Sequence, residues 1–172
     1  MSAVYRLQQG LRALAAWLRP VDDETAARYL SPPLYALYRQ MRRSERMHSV
    51  RVLRDLLGAG HTQPDLLTAA LLHDVGKTRY PFSLPEKVLV VLVKALAPRL
   101  YARWGGARPR GWRRPFAVSA QHPAWGAEMV ARAGGSPLTV ALIRHHADRA
   151  PLALPEETVR LLAALQAADD RN

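Results

Sequence analysis

Histidine and aspartate are the residues of this 172-residue chain whose types and spacing could support catalysis. His73 is followed directly by Asp74, and two adjacent aspartates, Asp169 and Asp170, lie near the end of the sequence. Because the chain has no cysteine, a metal site would have to be built from imidazole and carboxylate groups. The six histidines of the chain are His48, His61, His73, His122, His145 and His146.

These ligand types suit a transition-metal centre that activates water. Neutral imidazoles bind first-row transition metals well, and a carboxylate can bridge two of them. Two metal ions about 3.5–4 Å apart can share a hydroxide that attacks phosphorus while they hold the substrate oxygens. A single His-Asp pair carries little information. The chemistry therefore depends on whether the fold brings the other ligands to the same place.

The hydrophobic pattern predicts helices along nearly the whole chain, and these helices must position the ligands. Apolar residues recur at helical spacing, and capping residues and first-turn prolines mark several helix starts. The predicted helices span residues 3–18, 24–30, 33–42, 45–58, 63–75, 85–102, 115–121, 123–133, 137–147 and 156–169. We therefore predict one all-α domain in which ligands from several helices meet at the core of a bundle.

The charge of the chain is strongly positive and unevenly distributed. There are 25 Lys and Arg against 14 Asp and Glu, a formal net charge of +11. Residues 87–125 contain eight basic side chains, five interleaved aromatic rings and no acidic residue. Within them, residues 103–115 are rich in Gly, Pro and Arg and predict a loop. This segment favours contact with a nucleic acid or an anionic membrane, the alternative being a solvated loop packed on its own domain.

No segment of the sequence has the roughly 18 consecutive apolar residues that a membrane-spanning helix needs. The predicted helix at residues 3–18 is amphipathic and interrupted by arginines, which is not typical of a signal peptide. We therefore expect a cytoplasmic protein without a transmembrane span.

Five blocks of the sequence together resemble the HD-domain superfamily. They are MHSVRVLRDLLGAGH at 47–61, AALLHDVGK at 69–77, QHPAWGAEMV at 121–130, ALIRHHAD at 141–148 and LLAALQAADD at 161–170. Their order is similar to the dinuclear branch of that family, close to the HD-GYP-like phosphodiesterases. The resemblance implies an all-α HD-domain helical bundle with its metals in the middle. It divides a single domain, 1–172, into an N-terminal helical extension, 1–43, and an HD core, 44–170, with a basic aromatic insertion near 85–118.

The resemblance also implies two divalent transition metal ions, which could be Mn, Fe, Co or Ni. It assigns the first ion to His48, His73, Asp74 and Asp169. Asp170 is the alternative to Asp169, because helix phase cannot decide between adjacent residues.

The second metal ion, by the same resemblance, is bound by His122 and His145, with Asp74 bridging the two ions. His146 matches the second histidine of a paired block and either binds metal or orients a neighbouring ligand. Lys77 resembles a lysine that neutralises the substrate phosphate. Its alternative role is that of a cation placed favourably at a helix C-terminus.

The function implied by the resemblance is that of a metal-dependent phosphohydrolase or phosphodiesterase acting on a nucleotide or another phosphoester. A metal-bridging hydroxide would attack phosphorus, with Asp74 and Lys77 as catalytic residues. The remaining phosphate charge would be bound by Lys77 and by some of the arginines Arg108, Arg110, Arg113 and Arg114. The chain lacks the Gly-Tyr-Pro signature of the cyclic-dinucleotide branch, which argues against cyclic di-GMP as the substrate.

Two other functions stay open at this point. The same order of ligands resembles the HD-type di-iron oxygenases, which use O₂ to cleave a C–C or C–P bond. Alternatively the metals are structural, and the basic segment binds a nucleic acid or an anionic lipid. Iron with a mixed-valence EPR signal would indicate the oxygenase, whereas salt-dependent nucleic-acid binding without turnover would favour the binding module.

Overall fold

The computed structural model describes residues 20–80, 83–148 and 153–172. Within these ranges the chain is all-α, as predicted. The helices are α1 (Asp23–Tyr29), α2 (Pro32–Gln40), α3 (Arg43–Gly58), α4 (Pro64–Leu72), α5 (Leu84–Leu96), α6 (Pro98–Gly105), α7 (Arg114–Arg132), α8 (Pro137–His145) and α9 (Glu156–Asp170), with short 3₁₀ helices at Val75–Arg79 and Gly111–Arg113. The helix predicted at residues 3–18 lies outside the described residues.

The central element of the bundle is α4. Its residues from Leu66 to Leu72 are buried except Thr68, and it contacts α1, α2, α3, α8 and α9. A helix that is apolar on all sides is stable only inside a core. Since α4 ends immediately before His73 and Asp74, the most buried helix delivers the His-Asp pair to the middle of the molecule.

A close backbone contact holds the segment after this pair against α7. A Cβ atom added to Gly76 would lie 2.0 Å from the carbonyl oxygen of His122 and 2.7 Å from the nitrogen of Gly126. The 3₁₀ helix Val75–Arg79 can therefore touch the backbone of α7 only because residue 76 has no side chain. This contact fixes Asp74 relative to His122.

Prolines mark two differences between the predicted and the observed helices. The helix predicted at 85–102 is split into α5 and α6 at Ala97, because the residue before Pro98 is disfavoured in the helical conformation. Conversely, the helices predicted at 115–121 and 123–133 are one continuous helix, α7, with Pro123 buried inside it.

The basic, aromatic segment contains more helix than its composition predicts. The loop expected at 103–115 is reduced to residues 106–110, because α6 runs to Gly105 and a 3₁₀ helix begins at Gly111. Trp104 packs against Trp112 and Phe116, with ring centroids 4.9 and 5.0 Å away. The contact buries Phe116 and partly covers Trp104, whereas Trp112 stays 60% exposed.

No described helix combines the length and the apolar character that a membrane crossing requires.

Candidate metal centre

Six side chains from different parts of the bundle converge on its centre as two groups of three. One group consists of His48, His73 and Asp169, and the other consists of Asp74, His122 and His146. Within each group the candidate ligand atoms lie within 4.8 Å of one another. The side chains come from α3, the end of α4, α7, the end of α8, and α9, so the site exists only when the whole bundle is assembled.

The three buried histidines are oriented by backbone carbonyl groups. His73 donates from Nδ1 to the carbonyl of Ala70 at 2.9 Å, and His146 donates from Nδ1 to the carbonyl of Ile143 at 2.7 Å. Ala70 and Ile143 belong to the last turns of α4 and α8, whose carbonyls have no amide partner within the helix. Each ring is thereby fixed with Nδ1 protonated and Nε2 directed inward as a lone pair.

His122 obtains the same orientation in the middle of a helix through the proline that follows it. Pro123 has no N–H, so the carbonyl of Ser119, four residues earlier, lacks its usual helical partner. His122 Nδ1 donates to this carbonyl at 3.0 Å and to that of Val118 at 3.1 Å. The His-Pro sequence therefore positions a side chain of the site rather than ending the helix.

Asp74 belongs to the second group and also approaches a histidine of the first. Its Oδ1 atom is 3.4 Å from His122 Nε2, 3.8 Å from His73 Nε2 and 4.0 Å from His146 Nε2. Its Oδ2 atom accepts a hydrogen bond from Lys77 Nζ at 2.5 Å. Burial raises the pKa of this carboxyl, but the Lys77 ammonium outweighs burial and holds the pKa well below its usual range. Asp74 is therefore a carboxylate at neutral pH.

The arrangement of donors fits a bound cation. His73 Nε2 is buried and has no hydrogen-bond partner, and the Nε2 atoms of His122 and His146 face each other at 3.3 Å. Burial lowers the pKa of both His122 and His146, the latter to about 3, so these rings are neutral at pH 7. Converging lone pairs and carboxylates are mutually repulsive unless a positive charge lies between them. The residues present therefore fit divalent metal ions.

The site opens into a cavity of about 170 Å³, which we call the metal cavity. A larger cavity of about 390 Å³ adjoins it and shares Lys94, Ser119 and Ala147 with its lining. Lys94 extends from α5, and its Nζ atom lies 5.6 Å from the centre of the Tyr101 ring, whose hydroxyl is 3.0 Å from Ser119 Oγ. The boundary between the cavities is therefore polar and carries one positive charge.

A family model described as the HD domain matches residues 46–171 of the chain, which is most of its length. The chain belongs to the HD domain family. Searches of curated proteins and of solved structures found no significant match. HD domains are all-α, bind divalent metals and belong to a superfamily of metal-dependent hydrolases.

The set of candidate ligands in this HD domain differs from the expectation at one of two adjacent histidines. The structure places His146, not His145, with His122 and Asp74. His145 instead bonds Asp148 through Nδ1 at 2.7 Å and lines the larger cavity. The reason is that α8 ends at His145, and the turn that follows directs the next side chain inward.

The two adjacent aspartates near the end of the HD domain differ from each other in position, because only Asp169 lies in one of the two groups. Asp169 Oδ1 lies 2.8 Å from His48 Nε2 and 3.5 Å from His73 Nε2, whereas Asp170 is exposed and outside both groups. Burial raises the pKa of Asp169, but the hydrogen bond with His48 outweighs it and brings the pKa down to about 2.

The basic residues predicted to bind substrate divide into two sets. Lys77 lines the metal cavity, and so does Lys94, which the sequence analysis did not single out as a site residue. None of the four arginines predicted to bind substrate is among the described residues that line either cavity. These arginines are Arg108, Arg110, Arg113 and Arg114. Arg114 instead pairs with Glu86 at 2.8 Å, and Arg113 stacks on Trp112. The sequence feature that could have identified Lys94 is that it is the one charged residue within the apolar residues 88–97.

Proposed function

We propose that this HD domain is a phosphohydrolase that binds two divalent transition metal ions. One ion is held by His48, His73 and Asp169, and the other by His122 and His146, with Asp74 between them. The observation that supports this proposal is the convergence of three buried Nε2 lone pairs on a buried carboxylate. Bound there, the ions would supply an activated water and stabilise charge on the phosphoryl oxygens.

Lys77 has two tasks in this proposal. Its ammonium group bonds Asp74 Oδ2, which leaves Oδ1 turned toward the histidines. It also lines the cavity, so its remaining N–H groups can donate to a phosphate oxygen. Lys77 therefore couples the position of the central carboxylate to the binding of the substrate.

We assign the second contact to the substrate to Lys94 and Ser119, rather than to the arginines of the basic segment. Both side chains lie where the metal cavity meets the larger cavity. A phosphoryl group at the metals would have the rest of the molecule in that larger cavity, between Tyr101, Pro123 and Arg144. The space is suited to a phosphorylated small molecule or a nucleotide.

The proposal is tested by assaying the protein, reconstituted with Mn, Fe, Co or Ni in turn, on a panel of phosphomonoesters, phosphodiesters and nucleotides. We expect metal-dependent release of phosphate or of the alcohol from one class of substrate, lost in Asp74→Ala and kept in Asp170→Ala. Circular dichroism of each variant controls for folding. Failure to hydrolyse any phosphoester, together with oxygen consumption and a mixed-valence EPR signal in the iron-loaded protein, would contradict the proposal and indicate the oxygenase.

A further inference from the structure

The helix α5 is turned with its apolar side toward solvent. Its exposed aliphatic side chains have 47% to 81% of their surface accessible, and they are Val88, Leu89, Val91, Leu92 and Leu96. The opposite side of the same helix carries Val90, which is buried, and Lys94, which lines the metal cavity. Lys94, although itself exposed, borders the cavity on the side of Val90, whereas the five aliphatic residues are directed to solvent, which is unusual for a surface helix.

These side chains form a continuous patch rather than scattered exposures. Positions 88, 92 and 96 follow one another at four-residue intervals, and 89 and 91 flank them, so all five lie on one face of the helix. Single exposed aliphatic residues are common on protein surfaces, but a contiguous group on one helix marks an interaction site. We call this face, with Leu100 at the start of α6, the outer face of α5.

The segment that follows the outer face along the chain is positively charged. Arg99 and Arg103 are exposed, and because they are four residues apart they lie on the same side of α6. Arg108 and Arg110 in the following loop are also exposed. There is no acidic residue from 87 to 125, and the nearest one before this range, Glu86, is paired with Arg114.

We infer that the outer face of α5, together with the arginines of α6, docks this protein on an anionic membrane surface. An amphipathic helix lying in a lipid interface buries aliphatic side chains among acyl chains while arginines extend to anionic headgroups. Trp112, 60% exposed in the 3₁₀ helix Gly111–Arg113, is of the residue type enriched at such interfaces. This inference does not depend on the proposed phosphohydrolase activity.

Other occupants fit the surface less well. A second copy of the chain would bring the same exposed arginines against these, and like charges across an interface are unfavourable. A nucleic acid would pair with the arginines but would leave the five aliphatic side chains in water, because its affinity comes from phosphate contacts. An anionic lipid layer satisfies both the charge and the apolar area.

The test is flotation of the full chain with vesicles of phosphatidylcholine alone or mixed with phosphatidylglycerol. We expect the protein to float with the anionic vesicles and to remain behind with the neutral ones. The double variant Leu92→Ser/Leu96→Ser should lose most of this binding. The double variant Arg99→Gln/Arg103→Gln should bind roughly tenfold more weakly or worse, since each arginine near the surface contributes to attraction.

Matched controls carry the same changes elsewhere on the surface. Val159 is 43% exposed on α9, and Arg28 and Arg132 are exposed on α1 and α7. Val159→Ser and Arg28→Gln/Arg132→Gln should bind anionic vesicles as the wild type does. Circular dichroism verifies that every variant is folded.

Three results would overturn the inference. The first is no binding to anionic vesicles at low ionic strength. The second is binding that the leucine variant leaves unchanged, which would mean that another part of the chain or charge alone is responsible. The third is a wild-type dimer, seen by light scattering, that Leu92→Ser/Leu96→Ser converts to a monomer, which would assign the outer face to self-association. None of these results depends on whether the protein hydrolyses a phosphoester.

Discussion

The Nε2 atoms of His122 and His146 lie 3.3 Å apart, although neither can donate a proton to the other in the neutral state. In both rings Nδ1 faces only backbone carbonyls, so Nδ1 carries the hydrogen and Nε2 carries a lone pair. Two lone pairs at this distance, beside the carboxylate of Asp74, require a positive charge between or next to them.

Asp169 and Asp170 provide a comparison between neighbours. Asp169→Asn removes the negative charge beside His48 and His73 with almost no change of shape. We expect it to bind metal roughly a hundredfold more weakly, because even the loss of a residue that only supports a ligand costs about 10–100-fold. Isothermal titration calorimetry with Mn or Co measures the affinity of each variant for the metal. Asp170→Asn should bind metal as tightly as the wild type does. Equal losses of metal affinity in the two variants would contradict the assignment of Asp169 to the metal site.

Lys94 should contribute to substrate binding more than to turnover. Lys94→Ala removes the positive charge at the boundary of the two cavities and leaves the ligands in place. We expect KM for the phosphoester substrate to rise about tenfold or more, since a hydrogen bond to a charged group contributes about 1.5–3 kcal/mol.

The matched control for Lys94 is the double variant Arg108→Gln/Arg110→Gln, which removes exposed charges outside the cavities and should keep the wild-type KM. Steady-state kinetics on a substrate found in the panel decides between the two sites. A raised KM in the arginine variant with an unchanged KM in Lys94→Ala would show that the basic segment binds the substrate.

Gly76→Ala should destabilise the protein. The added methyl group would lie 2.0 Å from the carbonyl oxygen of His122, so the 3₁₀ helix and α7 would have to separate. We expect a loss of about 1–3 kcal/mol or more in the free energy of unfolding, measured by urea denaturation. Gly58→Ala is the control, because no atom other than those of its chain neighbours and its own helix backbone lies within 4 Å of the added Cβ. A Gly76→Ala protein as stable as the wild type would contradict the observed contact.

The metal-free protein should lose stability as the pH falls below 6.5. Burial and the neighbouring His73 and His122 lower the pKa of His146 to about 3, and burial lowers the pKa of His122. The unfolded chain takes up protons on these rings near pH 6.5 while the folded chain does not, so acid favours unfolding. The slope is about 1 kcal/mol per pH unit for each such ring.

Urea denaturation between pH 6.5 and 5 measures this effect before the carboxylates titrate. Asp169, with a pKa of about 2, adds to the acid sensitivity only at lower pH. The variant His146→Asn cannot take up the proton and should show a smaller slope. A free energy of unfolding that is constant over this interval in the wild type would rule out neutral, buried rings.

The sequence predicted the helical class and the family, because helical periodicity and the HD blocks extend over most of the chain. It assigned the second ion to His145 and left the role of His146 open, whereas the structure brings His146 to the site. Successive side chains of a helix point about 100° apart, and α8 ends between these two. Which one faces inward depends on the turn after the helix rather than on spacing.

Whether a proline ends a helix or lies within it also could not be predicted from the sequence. Pro98 and Pro123 have the same local effect on the chain, yet the first separates α5 from α6 and the second lies inside α7. The difference is tertiary, since His122 satisfies the carbonyl that Pro123 leaves without an amide partner. Lys94 was overlooked for a similar reason, because only the packed position of α5 shows that this face turns toward the cavity.

The most direct test of the metal centre is the metal content per chain, measured by elemental mass spectrometry on protein purified without chelator. We predict close to two equivalents of Mn, Fe, Co or Ni in the wild type and in His145→Ala, and a clear loss in His146→Ala and Asp74→Ala. Less than about half an equivalent in the wild type, even after reconstitution, would contradict the account, because converging ligands of this kind should retain metal. So would full occupancy in Asp74→Ala.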